Sequence, residues 1–375
     1  MNLTLKDLED AARVCLRDGR CAYGPWPEGH ILCPLYLREP SFTFTGGGYL
    51  FLVLALLEGK IDLTEEVADF AYSCSGCLSC DENCHIIASV KPEIGIVGAI
   101  RVLRSEAVRK GLMPQPIRMI YEEVRSKGDF GRPWRAVFQK QAAGNGETPF
   151  VFAECVHSEG TVRALEAFER LLGKMGVPAS FLGTKGCCGA SLYEYGLWNR
   201  LPELIEENCK ALADKEVCFL NPHCQYFVER VYARVVPDFH VRATNVVQFL
   251  LAALSEGRLI PRRKGKVRVS YHDPCYLGRG LGMYEEPRQI LSLLDGVELI
   301  EVGRNRESSF CCGSRIMGNY LSRLSEETAE ERVREFKETG ADLLVTACGD
   351  CVDSLGRFFD RERIRHIVEF VDERT

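Results

Sequence analysis

The sequence predicts an α + α/β chain, in which an all-helical region is followed by two copies of one α/β unit. Three observations carry this. Residues 1–130 place apolar side chains at three- and four-residue spacing with no convincing strand, the period of a helix. From residue 149 onward short apolar strands alternate with helical stretches, in an order that occurs twice. Cysteine, 18 of 375 residues, falls again and again just after a strand of that repeat.

In the helical region, "TEEVADFAY" (64–72) and "IGIVGAIRVLRSEAVRKGL" (94–112) each present one apolar face, and "YLFLVLALL" (49–57) reads as a core helix. That run is far short of the roughly 20 residues a membrane-spanning helix needs. Residues 131–148, "GRPWRAVFQKQAAGNGET", are broken by Gly and Pro and predict a linker. The first repeat, 149–262, runs "PFVFAEC" as a strand into Cys155, then the helix "VRALEAFERLLGKMG", the strand "ASFLG", the pair Cys187-Cys188, and the strand "EVCFLNPHC" ending at Cys224. The second, 263–375, runs "KVRVSYHDPC" into Cys275, then the helix "EPRQILSLLDG", the strand "VELIEVG", the pair Cys311-Cys312, and the strand "ADLLVTACGDC" ending at Cys351. The polar segment "SEGRLIPRRKG" (255–265) separates them. Alternating strands and helices predict a parallel sheet, and parallel sheets collect ligand sites at the carboxyl ends of their strands. The thiols of each repeat are therefore expected to meet.

Composition narrows the function. A formal net charge of −6 and the lack of basic stripes with interleaved aromatics exclude a nucleic-acid binder. The opening "MNLTLKDLEDAARVCLRDGR" contains no apolar signal segment, so the expected location is the cytoplasm. In a reducing compartment so many cysteines point to metal or redox sites rather than structural disulfides. A disulfide within Cys187-Cys188 or Cys311-Cys312 is disfavoured, because neighbouring Cα atoms are about 3.8 Å apart and a disulfide needs roughly 4.4–6.8 Å.

The run "CSGCLSCDENC" supplies Cys74, Cys77, Cys80 and Cys84 as C-x2-C-x2-C-x3-C, the spacing that holds cubane [4Fe–4S] clusters. His85 follows the fourth cysteine where such runs carry Pro. Zinc, which takes four ligands usually as two separated pairs, is the weaker reading. In two-cluster ferredoxins the fourth cysteine serves the other cluster. A partner run is "CLRDGRC", Cys15 to Cys21, with Asp18 where a middle cysteine would stand, followed by Cys33-Pro34. The expected sets are Cys33, Cys74, Cys77 and Cys80 for one cluster, and Cys15, Cys21, Cys84 with Asp18 for the other. Asp18 reads equally well as a turn residue before Gly19. A carboxylate is harder than a thiolate, so the second cluster is expected to be labile, three-iron or absent.

The second repeat offers five cysteines, Cys275, Cys311, Cys312, Cys348 and Cys351, more than zinc uses. The expected occupant is a cluster of several irons, with Gly313 admitting close backbone approach. The first repeat has Cys155, Cys187, Cys188 and Cys224, but Asn221 stands where Cys348 stands in the second, leaving room for a further cluster of a different kind. Cys209 and Cys218 are left over as core residues. His272, Asp273 and His223 flank the cysteines and read either as tuning groups or as packed polar residues. Arg288 and Arg315 read either as anion contacts or as surface arginines. "LGRGLGMYEEPR" and "TGGGYL" lack the context of nucleotide loops.

The order "YHDPCYLGRG", "SSFCCG", "TACGDC", preceded by an earlier "CCG" and a ferredoxin-type run, resembles the cysteine-rich CCG-domain family, the heterodisulfide reductase subunits and their relatives. The layout of a ferredoxin-like iron–sulfur domain ahead of two CCG domains is similar to the fused D-type subunit. The resemblance implies that Cys275, Cys311, Cys312, Cys348 and Cys351 hold a noncubane [4Fe–4S] cluster at which a disulfide is cleaved. It also implies one or two cubane clusters upstream and a flavoprotein or other electron-donating subunit as partner in a hetero-oligomeric complex. Asn221 breaks the first motif, which keeps open the alternative of a relay subunit of a dehydrogenase or acyl-CoA reductase complex with no substrate of its own.

Overall fold

The computed structural model describes residues 3–24, 29–84, 86, 90, 94–127, 150–152, 159–178, 180–181, 187–313 and 315–375. The predicted linker, Cys155 and His85 lie outside the described residues. The chain divides into two compact units. One comprises Met1–Lys127 with Ser191–Leu201 and Arg306–Ala329, the other Gly128–Ala190 with Pro202–Asn305 and Glu330–Thr375.

The first unit is helical. Its principal elements are α1 (Glu9–Val14), α2 (Pro34–Arg38), α3 (Gly46–Leu57), α4 (Glu65–Tyr72), α5 (Ser79–Asn83), α6 (Gly95–Arg109) and α7 (Gln115–Lys127). Helix α3 begins where the Thr45 side chain accepts the Gly48 N–H. The glycines of "TGGGYL" serve packing rather than a phosphate, since a Cβ on Gly48 would lie 2.6 Å from the Phe42 carbonyl oxygen. Leu50, Val53 and Leu54 of α3, Ala68, Ala71 and Tyr72 of α4, and Val97, Ile100 and Leu103 of α6 are buried together as the core of this unit. Full burial of each large apolar side chain contributes about 1.5–3 kcal/mol.

The second unit holds two parallel sheets. Strands β1 (Phe150–Phe152), β2 (Ser180–Phe181), β3 (Glu216–Phe219) and β4 (Arg242–Asn245) are ordered β2-β1-β3-β4. Strands β5 (Val267–His272), β6 (Val297–Leu299), β7 (Leu343–Thr346) and β8 (Ile364–His366) are ordered β6-β5-β7-β8. Register matches as well, with Val151 opposite Cys218 in one sheet and Tyr271 opposite Val345 in the other. The duplication predicted from sequence is thus present, with two strands the sequence did not announce. β4 reads "RATN" and β8 reads "IRH"; each is a short edge strand too polar to stand out as an apolar run.

The helices of this unit are α8 (Glu159–Lys174), α9 (Leu201–Leu212), α10 (Pro222–Phe227), α11 (Val246–Ser255), α12 (Glu285–Leu293), α13 (Ser322–Glu338, shared with the first unit), α14 (Gly349–Leu355) and α15 (Ile367–Asp372). One hydrophobic core runs through both halves, joining Leu165 and Phe168 of α8, Val247 and Leu250 of α11, Tyr271 of β5, Ile290 of α12, and Val368 and Val371 of α15. Among the described residues no helix is long and apolar enough to cross a membrane.

Candidate metal centres

In the first unit the cysteines line two cavities. The first is bounded by Cys33, Cys74, Cys77 and Cys80, with Cys21, Gly46, Tyr49, Val97 and Ile100. Three of these thiols converge because the chain curls tightly. Gly76 and Leu78 both adopt left-handed backbone, with φ of 69° and 63°, and the Gly76 N–H donates to the Cys74 sulfur at 3.3 Å. Cys33 arrives on the approach to α2, where Pro34 occupies the first helical position. Gly46 forms part of the wall: a Cβ there would lie 3.0 Å from the Cys80 Cβ and 3.3 Å from the Cys21 sulfur.

The second cavity, a cleft of ≈ 620 Å³, is lined by Cys15, Cys21 and Cys84 with Asp18, Arg20, Gly47, Glu82 and Glu307. Gly47 donates its N–H to the Cys21 sulfur at 3.3 Å, and Cys21 borders both cavities. One Asp18 oxygen accepts the Arg20 N–H at 3.1 Å, the turn role foreseen for it, while the residue also lines the cleft.

Burial governs the protonation of these thiols. It pushes Cys33 up to about 12, with the Cys77 and Cys74 thiols nearby adding to the rise, and Cys74 up to about 11, against the favourable field of Arg104. Cys80 rises well above the ordinary thiol range for the same reason, with Cys21 and Cys74 contributing. Cys15 and Cys21 are raised by burial, each also by the Cys84 thiol. A low-dielectric pocket disfavours bare thiolates. A metal that binds there must displace the protons and supply the countercharge. Soft sulfur donors in an apolar wall, with a glycine that leaves room beside them, fit a thiolate-bound metal centre.

In the first half of the second unit, Cys187, Cys188 and Cys224 are all buried, and the sulfurs of Cys188 and Cys224 stand 3.4 Å apart. Backbone amides face the doublet: the Gly189 N–H donates to Cys187 sulfur at 3.3 Å and the Ala190 N–H to Cys188 sulfur at 3.5 Å. Gly189 and Gly313, the glycines of the two doublets, have φ of 93° and 97°. Each doublet therefore requires glycine for the same conformational reason. Tyr232 donates to the Cys188 carbonyl at 2.8 Å and Asn208 to the Cys187 carbonyl at 2.9 Å. The Asn221 Oδ1 accepts the His223 N–H at 2.9 Å and caps α10. The His223 ring stacks on Tyr276, centroids 4.0 Å apart.

In the second half, Cys348 occupies the N-cap of α14 without a side-chain cap bond. Cys351 lies in the first turn of α14, and Cys275 follows β5. His272 and Cys351 bring ligand atoms within 4.8 Å of each other. Cys311 and Cys312 belong to the segment that packs with the first unit, whereas Cys275, Cys348 and Cys351 belong to the second. The Arg332 Nε–H donates to His272 Nδ1 at 3.2 Å. Asp273 is a packed polar residue: its carboxylate is bidentate to Arg288 at 2.7 and 3.0 Å. Arg288 is buried, and its fork is also occupied by Glu301 at 2.6 and 3.0 Å. That occupancy removes Arg288 as an anion contact. The Arg315 side chain lies outside the described residues. Cys209 and Cys218 are buried, Cys218 within the apolar core, as expected of leftover cysteines. "LGRG" forms one turn of π-helix, Tyr276–Gly280, in which a Cβ on Gly280 would lie 2.9 Å from the Tyr226 ring.

Sequence reading passed over Arg101, Arg104 and Arg332, which are buried. A signal was present: Arg101 and Arg104 sit three apart inside the apolar stripe of α6, where a charged residue needs a partner.

Two segments, residues 150–229 and 269–356, match the cysteine-rich domain family CCG. The chain is 26% identical over 328 residues to the D-type subunit of the dihydromethanophenazine:CoB–CoM heterodisulfide reductase of Methanosarcina barkeri, covering 82% of this chain and 78% of that one. It is 26% identical over 312 residues to the EtfAB:quinone oxidoreductase of Syntrophomonas wolfei, covering 75% of this chain and 42% of that longer one. It is 25% identical over 321 residues to the B-type subunit of the fumarate reductase (CoM/CoB) of Methanothermobacter marburgensis, covering 82% and 62%. With two matched segments, each on a sheet of the same strand order, the chain carries a tandem pair of CCG cysteine-rich domains.

Proposed function

We propose that this chain is an iron–sulfur electron-transfer subunit of a heterodisulfide-reductase-like complex. In this reading it takes electrons from a flavoprotein or similar redox partner in a hetero-oligomer and conducts them toward the second CCG domain. The observation that carries the reading is the arrangement of seven cysteines of the first unit around two cavities that share Cys21, the geometry two linked electron carriers need. Cys33, Cys74, Cys77 and Cys80 are the ligands for a cubane cluster in a ferredoxin-type domain. Cys15, Cys21 and Cys84 with Asp18 are the set for a second, labile one. Cys275, Cys311, Cys312, Cys348 and Cys351 are the set for a noncubane cluster, and Cys155, Cys187, Cys188 and Cys224 for a further centre in the first CCG domain. Such clusters, when bound, supply single-electron steps at potentials set by charge, hydrogen bonds and exposure.

The relatives' names speak of a heterodisulfide, a quinone and fumarate, and disulfide reduction is the reading we carry to this chain. It consumes two electrons from the partner and two protons and yields two thiols. His272, beside Cys351, is the group placed to hold a proton there. A second reading, a relay without its own substrate, is favoured by Asn221, whose cap bond leaves the first domain one thiol short.

Iron and acid-labile sulfide analysis of anaerobically purified protein tests the proposal. Both are expected in quantity, and zinc without sulfide would overturn it. Added disulfide is expected to perturb the EPR signal of the C-terminal centre and to lose that effect in Cys348→Ser. Indifference to every thiol and disulfide selects the relay.

A further inference from the structure

Arg104 of α6 is 1% exposed, and its fork donates to three carbonyl oxygens. Its Nε donates to Ala71 at 2.9 Å, one terminal nitrogen to Glu194 at 2.9 Å, and the other to Cys74 at 2.7 Å. The Tyr72 ring lies beneath it, 5.4 Å to the centroid. A guanidinium stays charged in proteins, and a buried charge is costly unless an opposite charge compensates it. Among the described residues, the carboxylates of Glu194 and Asp81 have other partners. Glu194 is bidentate to Arg101, at 2.9 and 2.5 Å, and Asp81 accepts the N–H groups of Ile96 and Val97 at the start of α6. What remains beside the fork is the wall of the first cavity, where Cys74 stands with Cys33, Cys77 and Cys80. Among the described residues, none of the side chains lining that cavity is charged. The Arg104 field already favours the anionic form of Cys74.

We propose that Arg104 is the fixed countercharge of the metal centre in this cavity, a positioning residue that holds the Cys74 loop by its carbonyl and raises the centre's reduction potential. The inference rests on the reading that Cys33, Cys74, Cys77 and Cys80 bind a cubane cluster. Four thiolates give such a centre a net negative charge, and reduction adds one more. A cation that is itself buried and bonded to the backbone of one ligand stabilises the reduced form more than the oxidised one, because Coulomb energy grows with the charge it meets and a buried charge is little screened. The carbonyl bonds fix the cation's distance, so the effect does not relax away.

The test is an EPR-monitored redox titration of the full chain, loaded under anaerobic conditions, with the variants Arg104→Lys, Arg104→Gln and Arg104→Met. Arg104→Lys is expected to titrate near the parent potential. The two neutral variants are expected to titrate lower, by at least a tenfold change in the reduction equilibrium, about 59 mV for a one-electron couple. Neutral variants that carry the parent's iron and sulfide and titrate at the parent potential would overturn the proposal, as would an equal shift in all three. If both neutral variants fold but lose this centre while Arg104→Lys keeps it, the requirement for charge is upheld. Loss in all three assigns Arg104 to geometry and overturns it. Failure of the underlying reading looks different: the parent protein would show no cubane signal, or one that Cys74→Ser leaves unchanged.

Discussion

The two CCG domains have the same strand order, and they differ most informatively at the second residue past the third strand. In the first domain Asn221 turns its side-chain oxygen onto the His223 N–H and caps α10. In the second, Cys348 holds the equivalent N-cap of α14 with no such bond. The backbone does the same work in both places. An amide oxygen satisfies a helix end, whereas a thiol is a poor cap and a good metal ligand. One position cannot serve both ends, so the first domain gains a better helix start and gives up a thiol.

A second pair of positions repeats the contrast with a proton. Asn245 at the end of β4 and His366 at the end of β8 both form capping boxes, with Gln248 and Glu369 respectively. His366 Nδ1 accepts the Val368 N–H at 3.3 Å. Burial lowers its pKa to about 3, with Arg163 adding to the fall and a bond to the Ala347 backbone opposing it. Of these two caps, the second domain's is the one that can titrate.

The contrast at the first pair is broken most severely by Cys348→Ser. It is expected to remove the iron and the disulfide-responsive EPR signal assigned to the second CCG domain, while Asn221→Ala leaves iron per chain unchanged. Equal iron loss in the two variants would erase the distinction. Next comes the proton. In the unfolded chain His366 takes up a proton below about 6.5, but in the folded chain only near pH 3. Stability is therefore fully present above 6.5 and is lost as pH falls toward 3. The slope is about 1.4 kcal/mol per pH unit, or about 2 kcal/mol lost by pH 5. Urea unfolding at pH 7 and 5 should show that loss, and His366→Asn, which copies the first domain, should flatten it.

An effect of similar size separates the residues that start the two helices. Gly349 packs against α8, where an added Cβ would lie 2.8 Å from the Thr161 backbone nitrogen. Gly349→Ala should cost about 1–3 kcal/mol through overpacking, whereas Pro222→Ala in the first domain should cost less than about 1 kcal/mol. Chemical denaturation of the two variants decides it. The smallest is the cap itself. Asn221→Ala should destabilise by about 1 kcal/mol, read as a modest fall in the urea midpoint. Asn221→Cys tests whether a fifth thiol there raises iron content.

The sequence by itself determined the duplication, the helical first region and the place of each thiol relative to its strand. These are local properties: alternation, helical period, and cysteines three or four positions apart. It also set the glycine after each doublet, whose positive φ explains why no other residue stands there. Tertiary structure alone decided the rest. The edge strands Arg242–Asn245 and Ile364–His366 exist only because β3 and β7 present free edges to them. Residues 191–201 and 306–329 pack with the first unit, although by sequence they continue the repeats. Arg104 and Arg332 read as ordinary helical arginines until folding buries them. Strand pairing and charge burial depend on partners distant in the chain, and a local pattern carries no record of which partner folding will supply.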